Sequence, residues 1–144
     1  LEFNNSLSLI SHETVSANHQ NALKQFISLS SHVLDTTLGK PASGIHVTVY
    51  VQSQKDNKFI ELVEGYTNND GRVTGDAWKN IAAQTPAAIT ETFKVKFEVA
   101  KYAKQTNQEL FYPEVEIVFK KLDNRHYHIP LLLSPFGYST YRGS

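Results

Sequence analysis

The 144-residue sequence contains no cysteine and no methionine, and arginine is scarce. Without cysteine, a disulfide framework, a thiolate nucleophile and a zinc ribbon are all excluded. The sequence also lacks an excess of either charge, because 14 basic residues balance 14 acidic ones. A nucleic acid or an anionic membrane attracts a basic surface, so neither is expected as a partner. No apolar run approaches the roughly 18 residues that a membrane-spanning helix needs.

What is present fits a single globular domain. Hydrophobic residues make up 40% of the chain and aromatic residues 11%, which is too much for a disordered protein. Residues 1–25 are rich in Asn, Ser and His and lack the apolar run of a secretory signal, so we predict a polar tail or linker there and a folded domain over 26–144. Because the chain begins at Leu1, we expect a trimmed start, and we expect a cytoplasmic or peroxisomal location.

Alternation of apolar and polar residues predicts most of the secondary structure. Ile45, Val47, Val49 and Val51 share one face of a strand, and Phe93, Val95, Phe97 and Val99 share one face of another. Asn68-Asn69-Asp70-Gly71 is a strong turn signal. The predicted strands are Phe26–Asp35, Ile45–Gln52, Phe59–Thr67, Phe93–Val99, Val115–Phe119, His126–Leu133 and Gly137–Arg142.

One segment departs from this rhythm. Ala100–Glu109 contains helix-forming residues and no β-branched run, which predicts a helix of two to three turns. Seven or eight closely spaced strands with one short helix indicate an all-β protein, an antiparallel β-sandwich.

The histidines are the main candidates for chemistry, since their pKa values lie near neutral pH. His126 and His128 flank Tyr127, so in a strand both side chains would lie on one face. With His32 they could form a three-histidine metal site, but spacing alone favours structural histidines and also leaves acid–base catalysis open. His46 falls on the polar face of its strand and is expected at the surface, and His12 and His19 are expected to be solvated in the tail. Ser134 lacks the Gly-x-Ser-x-Gly context of a hydrolase nucleophile.

The C-terminal segment carries a family resemblance. Tyr127-His128-Ile129-Pro130-Leu131-Leu132-Leu133-Ser134-Pro135, followed by the terminal Tyr141-Arg142-Gly143-Ser144, resembles the signature of 5-hydroxyisourate hydrolases, the transthyretin-related enzymes of urate breakdown. Ser31-His32-Val33-Leu34-Asp35, Thr67–Arg72 and Phe111–Phe119 resemble further blocks of that family. The terminal Tyr-Arg-Gly-Ser is typical of the enzyme branch rather than of transthyretin.

The resemblance implies a transthyretin-like fold and an active site. The catalytic roles would fall on His32, Arg72, His128 and Ser144, and substrate binding on Tyr141, Arg142 and Gly143. Transthyretin has lysine, glutamate and threonine at the positions of His32, Arg72 and His128, so this chain matches the enzymes there. The family implies neither a metal nor another cofactor. It also implies a homotetramer, a dimer of dimers, with sites in the clefts between dimers.

The implied reaction is hydrolysis of a cyclic acyl–nitrogen bond in 5-hydroxyisourate, giving 2-oxo-4-hydroxy-4-carboxy-5-ureidoimidazoline. It needs an activated water, a group that stabilises the developing oxyanion and a proton for the departing nitrogen. We expect His128 to be the general base, His32 to orient the water or relay the proton, and Arg72 to stabilise the negative charge; the two histidines could also exchange roles. A transthyretin-like small-molecule carrier without catalysis and a three-histidine metallohydrolase are the alternatives.

Overall fold

The computed structural model describes residues 28–82 and 89–144. The tail predicted over 1–25, with His12 and His19, lies outside these residues. The strands are β1 (Leu29–Asp35), β2 (Lys40–Pro41), β3 (His46–Ser53), β4 (Phe59–Tyr66), β5 (Arg72–Val73), β6 (Lys79–Asn80), β7 (Ile89–Glu98), β8 (Val115–Lys120), β9 (Tyr127–Ser134) and β10 (Gly137–Thr140), with a 3-10 turn at Gly75–Ala77 and the helix α1 at Ala100–Gln105.

The strands form two sheets. The first has the order β10-β9-β1-β2, with β5 also pairing with β1, and the second has the order β6-β4-β3-β7-β8. The predicted all-β sandwich is confirmed, with seven strands of four or more residues in the described parts of the chain. One pairing is not antiparallel: β1 runs parallel to β9, with Leu29 opposite Tyr127 and Asp35 opposite Leu133. Parallel neighbours cannot be joined by a hairpin, and here most of the domain separates them in sequence.

The core lies between the sheets and is built from the residues that the alternation singled out. Val47, Val49 and Val51 are 0% exposed, and Val95 and Phe97 lie opposite them on the neighbouring strand. The single tryptophan, Trp78, is also buried and donates a hydrogen bond from Nε1 to the backbone oxygen of Leu29 at 2.7 Å. Burial of this apolar surface is the main stabilising contribution to the fold.

Element boundaries differ from the sequence prediction in several places. The helix ends at Gln105 rather than Glu109, because Asn107 takes a positive φ of 54° and the Gln108 side chain turns back to donate to Asp35. The strand predicted to begin at Phe93 begins at Ile89. The two-residue strands β2, β5 and β6 were not predicted, since so short a segment shows no alternation.

No helix in residues 28–82 and 89–144 has both the length and the apolarity needed to cross a bilayer. The expected compartment stays a prediction.

Candidate active site

Three polar side chains share the outer face of the first sheet. Along β1, Leu29, Ser31 and Val33 are buried toward the core, so the alternating positions Ser30 and His32 face outward. On β9 the same alternation buries Tyr127 and Ile129 and turns His128 outward. The parallel register sets Ser30 beside His128 and His32 beside Pro130. Thus two of the predicted site residues, distant in sequence, meet on one surface.

Arg72 joins this surface through the two-residue strand β5, in which it pairs with His32. The side chain of Asn68 accepts hydrogen bonds from the backbone N–H groups of Asp70 (2.9 Å) and Arg72 (3.0 Å), which closes the turn. Gly71 then presents its carbonyl oxygen to the N–H of Val33 at 2.8 Å. The turn therefore fixes the backbone of Arg72 at the edge of β1, while its exposed side chain remains available to a ligand.

The C-terminal tetrapeptide packs against His128. The N–H of Gly143 donates to the carbonyl oxygen of His128 at 2.8 Å, and the two residues form an isolated bridge. A Cβ on residue 143 would lie 2.5 Å from Cδ2 of His128, so glycine is required for this close approach. Arg142 stacks over the ring of Tyr127 with 4.3 Å to its centroid. Tyr141 and Ser144 are exposed and make no hydrogen bond or ring contact with the described residues.

A chain of hydrogen bonds leads away from His128 along the sheet surface. The Ser30 hydroxyl lies 2.7 Å from Nδ1 of His128 and 2.7 Å from Nε2 of His126. On its far side, Nδ1 of His126 lies 3.2 Å from the Ser28 hydroxyl. Ser30 was not among the predicted site residues. Its outward position two residues before His32 was visible in the sequence, but its pairing with His128 follows only from the β1–β9 register.

The electrostatics favour neutral imidazoles. Burial lowers the pKa of His128, and repulsion from the charge of Arg72 and from the protonated forms of His32 and His126 lowers that pKa further. Burial and Arg72 likewise lower the pKa of His32, although a hydrogen bond to the backbone of Asp70 opposes this change. Both shifts favour the neutral form of the ring near pH 7. A neutral imidazole is able to accept a proton, as a general base must.

The geometry of the described residues gives the three-histidine metal alternative no support. Across residues 28–82 and 89–144, no group of three His, Cys, Asp or Glu side chains is arranged to hold a metal ion. The Ser30 hydroxyl stands between His126 and His128 and occupies the ring nitrogens through which they face each other.

His46 lies elsewhere, on the second sheet. It is half-buried rather than simply exposed, and its ring nitrogens meet the carboxylates of Glu64 and Glu98. This pairing explains a histidine on the polar face of β3 without assigning it to the site.

The two-sheet β-sandwich, with histidine, arginine and a C-terminal segment on one sheet face, places the protein in the class of transthyretin-like β-sandwiches. The family model described as "HIUase/Transthyretin family" matches residues 29–143, and the chain belongs to that family. It is 42% identical over 118 residues to a 5-hydroxyisourate hydrolase of Mus musculus, covering 81% of this chain and 94% of the relative. A protein of the same name from Salmonella dublin is 40% identical over 117 residues, covering 81% and 80%.

Solved structures from both branches of the family are similar to this chain. The Klebsiella pneumoniae 5-hydroxyisourate hydrolase has a TM-score of 0.59 and 32% identity, covering 81% of this chain and 98% of its own. Sea bream transthyretin in complex with thyroxine has a TM-score of 0.66 and 28% identity, covering 81% and 94%. The predicted transthyretin-like fold is thereby confirmed.

Proposed function

We propose that this chain is a 5-hydroxyisourate hydrolase that opens the six-membered ring of its substrate at a cyclic acyl–nitrogen bond. The observation that carries the proposal is the convergence of His32, Arg72, His128 and Gly143 on one sheet face. The relatives named 5-hydroxyisourate hydrolase support the same substrate. The reaction needs no cofactor, because imidazole and guanidinium groups supply both proton transfer and charge stabilisation.

His128 is the general base of this mechanism. Its lowered pKa supports a neutral ring, and Nδ1 already contacts Ser30, which leaves Nε2 for the water. The ring takes a proton from water as the water oxygen bonds to the substrate carbonyl carbon. When the carbon–nitrogen bond breaks, the imidazolium returns this proton to the departing nitrogen. Positioned acid–base catalysis of this kind typically contributes about 10²–10⁴-fold.

His32 orients the water or relays the proton. It lies on the neighbouring strand of the same face, and burial and the Arg72 charge lower its pKa, which favours the neutral ring. When His32 is protonated, its positive charge lowers the pKa of His128, so the two rings are close enough to interact. The reverse assignment, with His32 as base, predicts a larger loss of kcat on substitution of His32 than of His128.

Arg72 stabilises the oxygen that becomes anionic. Its guanidinium is a planar, permanently charged donor suited to carbonyl and oxyanion groups. The tight turn before β5 fixes its backbone, so the point from which the guanidinium extends is set before substrate binds. In the terminal tetrapeptide, Ser144 supplies a hydroxyl and a carboxylate, while Tyr141, Arg142 and Gly143 shape the substrate pocket.

The active assembly of this proposal is a homotetramer, a dimer of dimers. Supporting it, the edge strands β8 and β10 lie at the same side of the sandwich, where several aromatic side chains are exposed. Unpaired strand edges beside exposed apolar groups are the usual material of edge-to-edge association. Because the family resemblance implies sites in the clefts between dimers, residues from more than one subunit would border each site.

The decisive experiment generates 5-hydroxyisourate from urate and follows its loss with and without the protein, against a blank for spontaneous decay. We expect rapid protein-dependent hydrolysis. Replacement of His128 or of Arg72 by alanine should lower kcat at least ~10²-fold with the oligomer intact. Binding of small apolar ligands without turnover would instead support the carrier alternative. Near-native turnover in either variant would remove that residue from the mechanism.

A further inference from the structure

The hydrogen-bond chain Ser28–His126–Ser30–His128 has a definite proton count. The Ser30 hydroxyl has one proton, yet it lies 2.7 Å from a nitrogen of each histidine. It therefore donates to one ring and accepts from the other. The two directions leave the proton of neutral His128 on different nitrogens, so the orientation of one hydroxyl decides the tautomer of that ring.

Only one direction leaves His128 able to act as a base. If Ser30 donates to Nε2 of His126, then Nδ1 of His128 carries a proton and donates to Ser30, and Nε2 of His128 is unprotonated. In the same arrangement, Nδ1–H of His126 donates to the Ser28 hydroxyl at 3.2 Å. In the opposite direction, Nε2 of His128 carries the proton and cannot accept one from water.

The surroundings of Ser30 fit such a role. Its side chain is on a residue only 5% exposed, on the rigid strand β1, directly opposite His128 in the parallel register. At the edge of the His128 ring opposite Nδ1, Gly143 packs so closely that a Cβ there would lie 2.5 Å from Cδ2. The ring is thus held between Ser30 and the C-terminal segment, which hinders the half-turn about Cβ–Cγ that would bring Cδ2 to Ser30 in place of Nδ1.

We propose that Ser30 and His126 are positioning residues that hold neutral His128 in its Nδ1–H tautomer, with His126 as the acceptor that orients the Ser30 hydroxyl. The inference rests on the proposed function, in which Nε2 of His128 receives the proton of water. Neither residue needs to touch the substrate. Holding a catalytic histidine in the correct tautomer is worth up to about 10⁴-fold in kcat in the serine proteases, where a carboxylate performs the task.

The test is the tautomer of His128, read from the 15N chemical shifts of its ring nitrogens in substrate-free protein above the histidine titration range. In the wild-type protein we expect a protonated Nδ1 and an unprotonated Nε2. In Ser30→Ala and in His126→Leu we expect a shift toward the Nε2–H form. His126 is exposed, so the second variant keeps the fold even if the buried serine does not tolerate replacement.

Kinetics give a second readout. Both variants should lose kcat by about 10-fold or more with KM changed less than about twofold, because substrate contacts remain. Ser30→Thr retains the hydroxyl and should recover most of the loss. The matched control is Ser31→Ala: Ser31 is adjacent and buried, but its hydroxyl donates to the Ile129 backbone oxygen on the core side. That control should lower stability and leave the His128 tautomer unchanged.

The outcomes separate the two proposals. A wild-type His128 with its proton on Nε2, or an unchanged tautomer in both Ser30→Ala and His126→Leu, would overturn the inference whatever the activity. A wild-type protein that does not hydrolyse 5-hydroxyisourate would contradict the proposed function, while the shifts would still decide whether Ser30 and His126 set the tautomer.

Discussion

The His128 ring is restrained by residues from three parts of the chain. Ser30 on β1 contacts Nδ1, the backbone of Gly143 lies against Cδ2, and the charge of Arg72 reaches the ring from β5. Such restraint suits the proposed general base, since the entropy of orienting the group is lost on folding rather than at the moment of reaction. Small changes to any restraint should therefore change catalysis more than stability.

Gly143→Ala tests the contact with the terminus. Its Cβ would lie 2.5 Å from Cδ2 of His128, so either the ring or the C-terminal segment must move. We expect kcat to fall by about 10²-fold, the order of loss that a displacement of about 1 Å produces. Gly137→Ala is the control, because its Cβ would meet nothing closer than Ser134 Oγ at 3.9 Å. Steady-state kinetics on both variants make the comparison, and equal activities would show that the close approach is unimportant.

Arg72→Gln tests the electrostatic influence on His128. Burial and the Arg72 charge both lower the pKa of His128, so removal of the charge should raise that pKa while burial still holds it below its ordinary value. An NMR titration of the His128 ring measures this without relying on activity. Arg125→Gln is the control, since Arg125 is exposed and is not among the charges that act on His128. An unchanged or lower pKa in Arg72→Gln would contradict the interpretation.

At the scale of the element, the turn before β5 decides where Arg72 lies. Gly71 has a φ of +74°, and a Cβ there would lie 2.5 Å from the carbonyl oxygen of Val33. Gly71 also accepts the Val33 N–H through its own carbonyl, which holds β5 against β1. One residue thus meets both a conformational and a steric requirement, and its neighbour is the site arginine.

Gly71→Ala should therefore be more destabilising than an ordinary glycine substitution at positive φ. Gly39→Ala is the matched control, because Gly39 has a φ of +65° and nothing lies within 4 Å of its Cβ position. We expect Gly71→Ala to lower the free energy of unfolding by about 1–3 kcal/mol more than the control does. Urea unfolding measures both, and a loss of kcat in Gly71→Ala alone would follow from displacement of Arg72. Equal destabilisation would rule out the steric contribution.

On the second sheet, the contact of His46 with two glutamates changes stability with pH in the opposite direction to His32. Burial lowers the pKa of His46, but its hydrogen bonds to Glu64 and Glu98 outweigh burial, so the pKa is raised. Stability from such a group is complete below its unfolded pKa of about 6.5 and is lost as pH rises through the folded pKa. His32, whose pKa is lowered, instead favours the folded state above about pH 6.5 and disfavours it as pH falls.

The stability difference between the wild-type protein and His46→Gln should therefore be larger at about pH 6 than at about pH 9. The stability of the wild-type protein relative to His32→Gln should instead be lower at about pH 6 than at about pH 9. Urea midpoints at the two pH values, compared within each pair, cancel the contributions of titrating groups that the substitution does not affect. A His46 difference that grows with pH would contradict the ion-pair interpretation.

How far the sequence predicts these elements depends on what determines each one. Alternation predicted β3 and β7 because one face of each is fully buried, as Val47 and Phe97 illustrate. It could not predict β5, since two residues have no period and their strand pairing depends on the turn and on β1. The resemblance nominated His32, Arg72 and His128, whereas Ser30 was missed because a parallel register between distant strands leaves no local pattern.

At the scale of the whole molecule, the edges of the two sheets meet on one side. β8 ends the second sheet and β10 ends the first. The segment before β8 connects them: the N–H of Phe111 donates to the Pro135 backbone oxygen at 2.8 Å, and the rings of Tyr112 and Tyr138 are in edge contact with centroids 5.5 Å apart. Phe111 is 68% exposed, so a large apolar group stands beside two strand edges.

Phe111→Asp tests whether this edge joins subunits. An aromatic side chain buried between subunits contributes about 1.5–3 kcal/mol on each side of a symmetric contact, and a carboxylate there would also have to be desolvated. We expect light scattering to give a tetramer for the wild-type protein and a mass at most half as large for the variant. Tyr66→Asp is the control: Tyr66 is 61% exposed but ends β4, next to β6 at the far side of its sheet.

A monomeric wild-type protein would contradict the tetramer, and an unchanged mass in Phe111→Asp would show that the subunits meet through another face. If sites are completed by neighbouring subunits, the dissociated variant should also lose turnover although His32, Arg72 and His128 are all intact, whereas the control should keep both its mass and its activity.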